Sequence, residues 1–143
     1  MFSKACEYGI KAMIYIAQAG EGGRLVSLKE IAAEIQSPVA FTAKILQLLS
    51  REGILLSTKG AFGGFQLAAA ADKINLAEIV KAIDGDRVFN GCGLGLKECN
   101  ALKPCPVHFK FAAFREQLAD MLQTTNLHEL AAGLKKGVSF LYR

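Results

Sequence analysis

The sequence has no apolar run long enough to cross a membrane: Lys, Gln or Glu interrupts every hydrophobic stretch well before about 18 residues. Its first residues, MFSKACEYGIKAMIYIA, place Glu7 and Lys11 inside the apolar pattern. A secretory leader does not tolerate that interruption, so a cytoplasmic location is expected. The glycines at 60, 63 and 64 lack the Gly-Lys-Ser/Thr ending and the following helix that a nucleotide phosphate loop requires. No closely spaced Cys pair of the structural zinc type is present. No Ser/His/Asp set, no catalytic Cys/His pair and no paired carboxylates suggest themselves, so no enzyme is expected. Internal repeats and low-complexity runs are absent. The charge balance is only mildly basic, 17 Lys+Arg against 13 Asp+Glu for a net +4, which is compatible with a polyanionic partner without requiring one. What the chain does have is core material: 52% of its 143 residues are hydrophobic, enough for one compact domain or a small domain with an oligomerisation arm.

Periodicity predicts a helix over 3–19, with Ala5, Tyr8, Ala12, Tyr15, Ile16 and Ala19 recurring at three- and four-residue steps. Ser27-Leu-Lys-Glu30 is a capping box for a short second helix. Pro38, with Ser37 as its cap, is placed to open a third helix running to about Glu52, with Phe41, Ile45, Leu48 and Leu49 inward. Two helices joined by a tight turn fit a helix-turn-helix. Ile54–Ser57 and Phe65–Ala68 flank a glycine-rich turn and read as a hairpin, the wing of a winged helix. Asn75-Leu-Ala-Glu78 caps a helix that Gly85 closes. A loop of about 20 residues follows over 85–105, long enough in a small domain to be functional. A long helix is expected from about Pro106 to Leu122, then a short one capped by Asn126, then the tail Val138–Tyr142. The expected fold is mainly α with a small β-hairpin wing. Its division is a winged helix-turn-helix (1–84), a cysteine-rich cluster loop (85–105) and a dimerisation helix with tail (106–143).

Two sets of residues carry chemistry. On the third helix, Ala40 and Ala43 permit close approach to a groove, and Lys44, Gln47 and Arg51 reach phosphates or base edges. Lys59 beside Gly60 on the wing suits a minor groove. Ser37, Val39, Ser57 and Gly63 complete the expected DNA-contacting set. The second set is Cys92, Cys99 and Cys105, three of the four cysteines within 14 residues of Gly, Asn, Lys and Pro. In a reducing cytosol a disulfide framework is a poor explanation, and a small hydrophobe does not belong in such a loop. Soft thiolates select zinc, copper(I) or an iron–sulfur cluster. Spacings this wide suit an object larger than one ion. A [2Fe–2S] cluster takes four ligands, and a histidine can replace a cysteine. His108 is one candidate for the fourth. Glu7 on the first helix is the other, more plausible across a dimer than within one chain. Cys6 reads as a small buried residue and His128 as structural.

In this order the pieces resemble the Rrf-two family of bacterial transcription regulators, the IscR/NsrR type. The resemblance spans essentially the whole chain. It rests on EYGIKAMIYIA, AKILQLLSREGILLSTKGAFGGFQLA, INLAEIVKAIDG, the three loop cysteines and the CPVH that opens the long helix. It implies a winged helix-turn-helix, a homodimer joined along the long helix, and palindromic operator DNA as partner, with neither membrane nor small-molecule substrate. It further implies a repressor whose affinity follows a [2Fe–2S] cluster on the three cysteines. The fourth ligand varies in the family, a histidine matching His108 or an acidic residue matching Glu7.

Four departures stand out. The first cysteine gap is six residues where five or fewer is usual. Lys59 replaces a common Arg, keeping the charge without the planar fork. Ala68–Ala71 replaces basic and proline residues after the wing, and Thr42 replaces a usual Leu. Two other readings remain: a cluster-free regulator answering to thiol chemistry or a protein partner, and a small iron–sulfur electron-transfer or delivery protein.

Overall fold

A computed structural model describes residues 1–142. Among the described residues the chain forms seven α-helices and one two-stranded sheet. Helix α1 spans Lys4–Ala19, α2 Leu28–Glu34 and α3 Val39–Arg51. Strands β1 (Leu55–Thr58) and β2 (Gly64–Leu67) pair antiparallel, with Leu55 opposite Leu67 and Thr58 opposite Gly64. A short 3-10 turn at Ala71–Lys73 leads into α4 (Leu76–Asp84), followed by α5 (Arg87–Asn90), α6 (His108–Thr124) and α7 (Leu127–Lys135). This is a winged helix-turn-helix with a long C-terminal helix, as the sequence predicts.

The local signals set the helix starts. Ser27, Asn75 and Asn126 each accept a hydrogen bond from the backbone N–H three residues on, at 3.0–3.2 Å. The last two starts are also stitched together. Leu76 N–H donates to Thr125 O and Leu127 N–H to Ile74 O, both at 3.0 Å, so α4 and α7 begin side by side. Gly85 ends α4 with φ +72°, a left-handed angle open to glycine. Ser3 caps α1 through Cys6 N–H at 3.0 Å.

One core serves the described residues. Cys6, Met13 and Ile16 of α1, Ile31 of α2, Ile45, Leu46 and Leu49 of α3, Leu55 of β1 and Ile79 and Val80 of α4 are buried together. Leu122 and Leu127 of the C-terminal segment join them. Val26, ahead of α2, pairs with Phe65 by two backbone bonds of 2.8 and 2.9 Å, which fastens the wing to the helix-turn-helix. Arg24 and Tyr15 both donate to Glu30, at 2.8 and 2.7 Å, tying α1 to α2. Those bonds hold the Glu30 carboxyl below its ordinary value.

The third helix departs from expectation at its start. Pro38 is the N-cap residue itself, not the first helical residue, and it offers no side-chain cap. Ser37 does not cap either: its hydroxyl bonds Thr42 Oγ1, which also donates to Pro38 O at 2.8 Å. Thr42 is 1% exposed, so the hydroxyl that replaces a Leu is satisfied locally. Leu46 is a core residue that the inward set omits, while Phe41 and Leu48 are half-buried. The 85–105 segment is not a plain loop, because α5 occupies its first part. The long helix begins at His108 rather than Pro106, and both strands are displaced by one residue.

Candidate functional site

The expected DNA-contacting residues fall on two adjacent surfaces. On α3, Val39, Ala40, Lys44, Gln47 and Arg51 are exposed and Ala43 is half-buried. Without a side-chain cap, the first-turn N–H groups of this 13-residue helix have no side-chain acceptor at the cap position. Together with the helix dipole they favour an anion. Ser37 is half-buried and its hydroxyl is committed to Thr42. On the wing, Ser57, Lys59 and Gly60 are exposed. Gly60 has φ +107°, and a Cβ at Gly63 would lie 2.0 Å from Thr58 O. The sharp turn that presents Lys59 therefore needs both glycines.

The loop between α5 and α6 brings its three cysteines to the N-terminal half of α6. Cys92 Sγ and Cys105 Sγ are 3.8 Å apart, and Cys99 Sγ lies 3.4 Å from His108 Nδ1. All three thiols are half-buried and His108 is only 8% exposed. His108 opens the long helix as a packed residue, with its ring edge-on to Phe109 at 4.8 Å. The N–H groups of Leu94 and Leu96 hold the Cys92 thiol below its ordinary value, with a smaller contribution from Cys105. Among the described residues, no group of three or more His, Cys, Asp or Glu converges on a single metal-ion position. The three thiols and the imidazole stand as two pairs.

Glu7 lies outside those pairs. It faces Lys4 at 3.4 Å and its side chain is 45% exposed. Cys6 is fully buried in the core, where desolvation pushes its thiol up to about 12. The sequence reading missed Arg115. From α6 it donates Nη2 to Cys99 Sγ at 3.1 Å and Nη1 to Gly91 O. Its position seven residues after His108 is the one signal that could have found it, since that spacing returns to the same helix face. Beside the cysteines a groove of about 560 Å³ is lined by Met1, Asp84, Cys92, Phe111, Phe114 and Arg115 among others.

Comparison with known proteins locates this architecture. The family model for Rrf2, described as an iron-dependent transcriptional regulator, matches residues 2–133. An HTH-type transcriptional regulator of Aquifex aeolicus is 33% identical over 132 residues, covering 91% of this chain and 90% of that protein. The regulator IscR of Erwinia tasmaniensis is 26% identical over 123 residues, 86% of this chain and 73% of its own. Among solved structures, CymR of B. subtilis, titled a global cysteine regulator, superposes with a TM-score of 0.76 at 23% identity, over 92% of this chain and 96% of that one. With a family match across nearly its full length and relatives that regulate transcription, the chain belongs to the Rrf2 family of transcriptional regulators.

Proposed function

We propose that this protein is a homodimeric operator-binding repressor whose DNA affinity is set by a [2Fe–2S] cluster held by Cys92, Cys99, Cys105 and His108. The observation that carries the reading is the two-pair geometry. Metal–thiolate bonds of about 2.3 Å and metal–imidazole bonds of about 2.1 Å, at a tetrahedral angle, separate two sulfurs by about 3.8 Å and a sulfur from a nitrogen by about 3.6 Å. Cys92–Cys105 and Cys99–His108 stand at 3.8 and 3.4 Å. Two ligand pairs without a common single-ion position suit two irons better than one zinc, and soft thiolates suit iron–sulfur chemistry. Glu7 of a second chain remains the competing fourth donor.

A bound cluster supplies a one-electron centre sensitive to oxidants, nitric oxide and iron supply. The rest is done by the chain. With four donors committed, the segment between α5 and α6 is fixed to the helix that bears the dimer contact. On α6, Phe111, Phe114 and Met121 are exposed, and with half-buried Leu118 they form a stripe at three- and four-residue spacing. An apolar stripe of this kind fits a second copy of the chain. Two recognition helices must then be held one DNA turn apart, roughly 34 Å. A rotation of the subunits misplaces one of them, and a coupling of about 1–3 kcal/mol changes affinity roughly 5- to 150-fold.

The deciding experiment is an anaerobic purification with iron and sulfide analysis, a visible spectrum, and a gel shift on DNA from the protein's own promoter. The reading expects charge-transfer bands and a gel shift that changes when iron is stripped. A colourless protein that takes up no iron on reconstitution, yet binds fully, overturns it. That result would favour a cluster-free thiol regulator. Cys92, the thiol held low, lies close enough to Cys105 to form a disulfide on oxidation by a peroxide, and non-reducing peptide mapping would find that bond.

Two predictions concern the surfaces. Lys44→Ala and Lys59→Ala each weaken binding and reduce the slope of log K against log salt by about 0.9, the loss of one phosphate contact apiece. A salt titration by fluorescence anisotropy checks this. Met121→Glu puts a charge at the C-terminal end of the α6 stripe. It is expected to weaken the dimer at least about tenfold, equivalent to ~1.4 kcal/mol, as read by analytical ultracentrifugation.

A further inference from the structure

Among the described residues, Arg115 is the one side chain of α6 that hydrogen-bonds two separate points of the cysteine segment. Nη1 donates to the carbonyl of Gly91, which caps α5, and Nη2 donates to Cys99 Sγ at 3.1 Å. Its Nε is buried with no acceptor. A solvated arginine would leave none of its donors in that state, so the guanidinium is held where the segment needs it rather than where water would take it. Cys99 consequently meets α6 twice: at Arg115 Nη2 and at His108 Nδ1, residues seven apart on one face of the helix. Cys92 and Cys105 touch each other instead. Cys99 is therefore the sulfur through which the segment is fastened to the helix.

We propose that Arg115 is the positioning residue of the cysteine centre, fixing residues 91–99 onto α6 through its planar fork and placing a positive charge against Cys99 Sγ. The fastening stands on this chain's own contacts. The charge rests on the cluster reading above. Three thiolates overbalance the positive charge of a diferric, two-sulfide core by one, and each electron taken up adds another negative charge. A guanidinium at 3.1 Å from one thiolate offsets that charge and favours the reduced form. The two roles have different chemical requirements. The fork needs two donors in a fixed plane, which lysine lacks, whereas the charge needs only a cation.

The test compares wild type with R115A and R115K in two states. In the iron-free protein, hydrogen–deuterium exchange is read over residues 91–99. R115A and R115K are both expected to exchange at least about tenfold faster there, with α1–α4 unchanged. In protein reconstituted anaerobically, a dithionite titration with mediators gives the reduction potential. R115A is expected to be more negative than wild type, and R115K to recover most of the difference. A structural role alone would not give that recovery. Wild-type exchange over 91–99 in R115A overturns the fastening, and a wild-type potential in R115A overturns the charge. If R115A does not fold, R115K decides the first point by its exchange, and R115Q, which keeps much of the stem without the charge, decides the second. A wild-type protein that takes up no iron sinks the cluster reading and the charge with it, while the exchange comparison still decides the fastening.

Discussion

Cys99→Ala is expected to abolish the iron content and visible absorption of the anaerobically purified protein and to remove the iron dependence of its promoter binding. Cys99 has two partners on α6, so its loss removes a donor and releases the segment at once. Cys92→Ala and Cys105→Ala should bleach the protein as well, because they form the other pair and each leaves its partner alone. Cys6→Ala is the internal control. That thiol is fully buried among apolar side chains, and burial, with Asp84 adding to it, keeps the thiol neutral at any physiological pH. The variant should lose some stability and keep its colour. The fourth donor is settled by the same spectrum. His108→Ala abolishes or shifts the bands if the imidazole ligates. If Glu7 of a second chain ligates, Glu7→Ala does so instead. A Cys99→Ala protein with full iron and an unchanged spectrum would end the cluster reading.

The parts of this molecule that were legible in the sequence are those fixed by short-range chemistry. The side-chain N-caps at Ser27, Asn75 and Asn126 need only a hydroxyl or amide and an N–H three residues away, and all three form. Gly60 and Gly63 announce the wing because no other residue tolerates that turn. Ser37 shows where the approach fails. Read locally it is a cap, but a buried hydroxyl at Thr42 competes for it, and a residue's burial is not written in its neighbours. The turn between α2 and α3 hides in the same way. Gln36 takes the left-handed conformation there, φ 53°, where a glycine would have marked the turn. Helix α5 is too short to leave a periodic pattern. Arg115 looks like an ordinary charge on a mostly exposed helix until the fold brings Gly91 and Cys99 to it. The cysteine triad was visible in the sequence; its division into two pairs was not, because the pairing joins residues 13 and nine positions apart through loop conformation.

Leu122→Ala should be the most destabilising single truncation within α6, at about 2.7–5 kcal/mol. Of the 17 residues of α6 only His108 and Leu122 are buried, and Leu122 is fully so. It enters the core that also holds Met13, Leu46 and Leu49, and it lies close in sequence to the paired starts of α4 and α7. Truncating its isobutyl side chain to a methyl group opens a cavity in that core and loosens the anchor by which the long helix is attached to the DNA-binding unit. Thermal unfolding followed by circular dichroism should show the midpoint falling by about 3–4 °C for each kcal/mol lost. The exposed apolar stripe on the same helix makes a further demand. If a second copy covers it, part of the stability is association, and the midpoint must rise with protein concentration in wild type and Leu122→Ala alike. At equal protein concentration the midpoint of Met121→Glu should then lie below that of wild type. A midpoint independent of concentration in wild type would mean that no second copy covers the stripe, and the dimer would have to be sought on another surface. A Leu122→Ala protein as stable as wild type would place the join between the cysteine centre and the recognition helix elsewhere. The candidate would then be α5, which packs on α6 ahead of the cysteines.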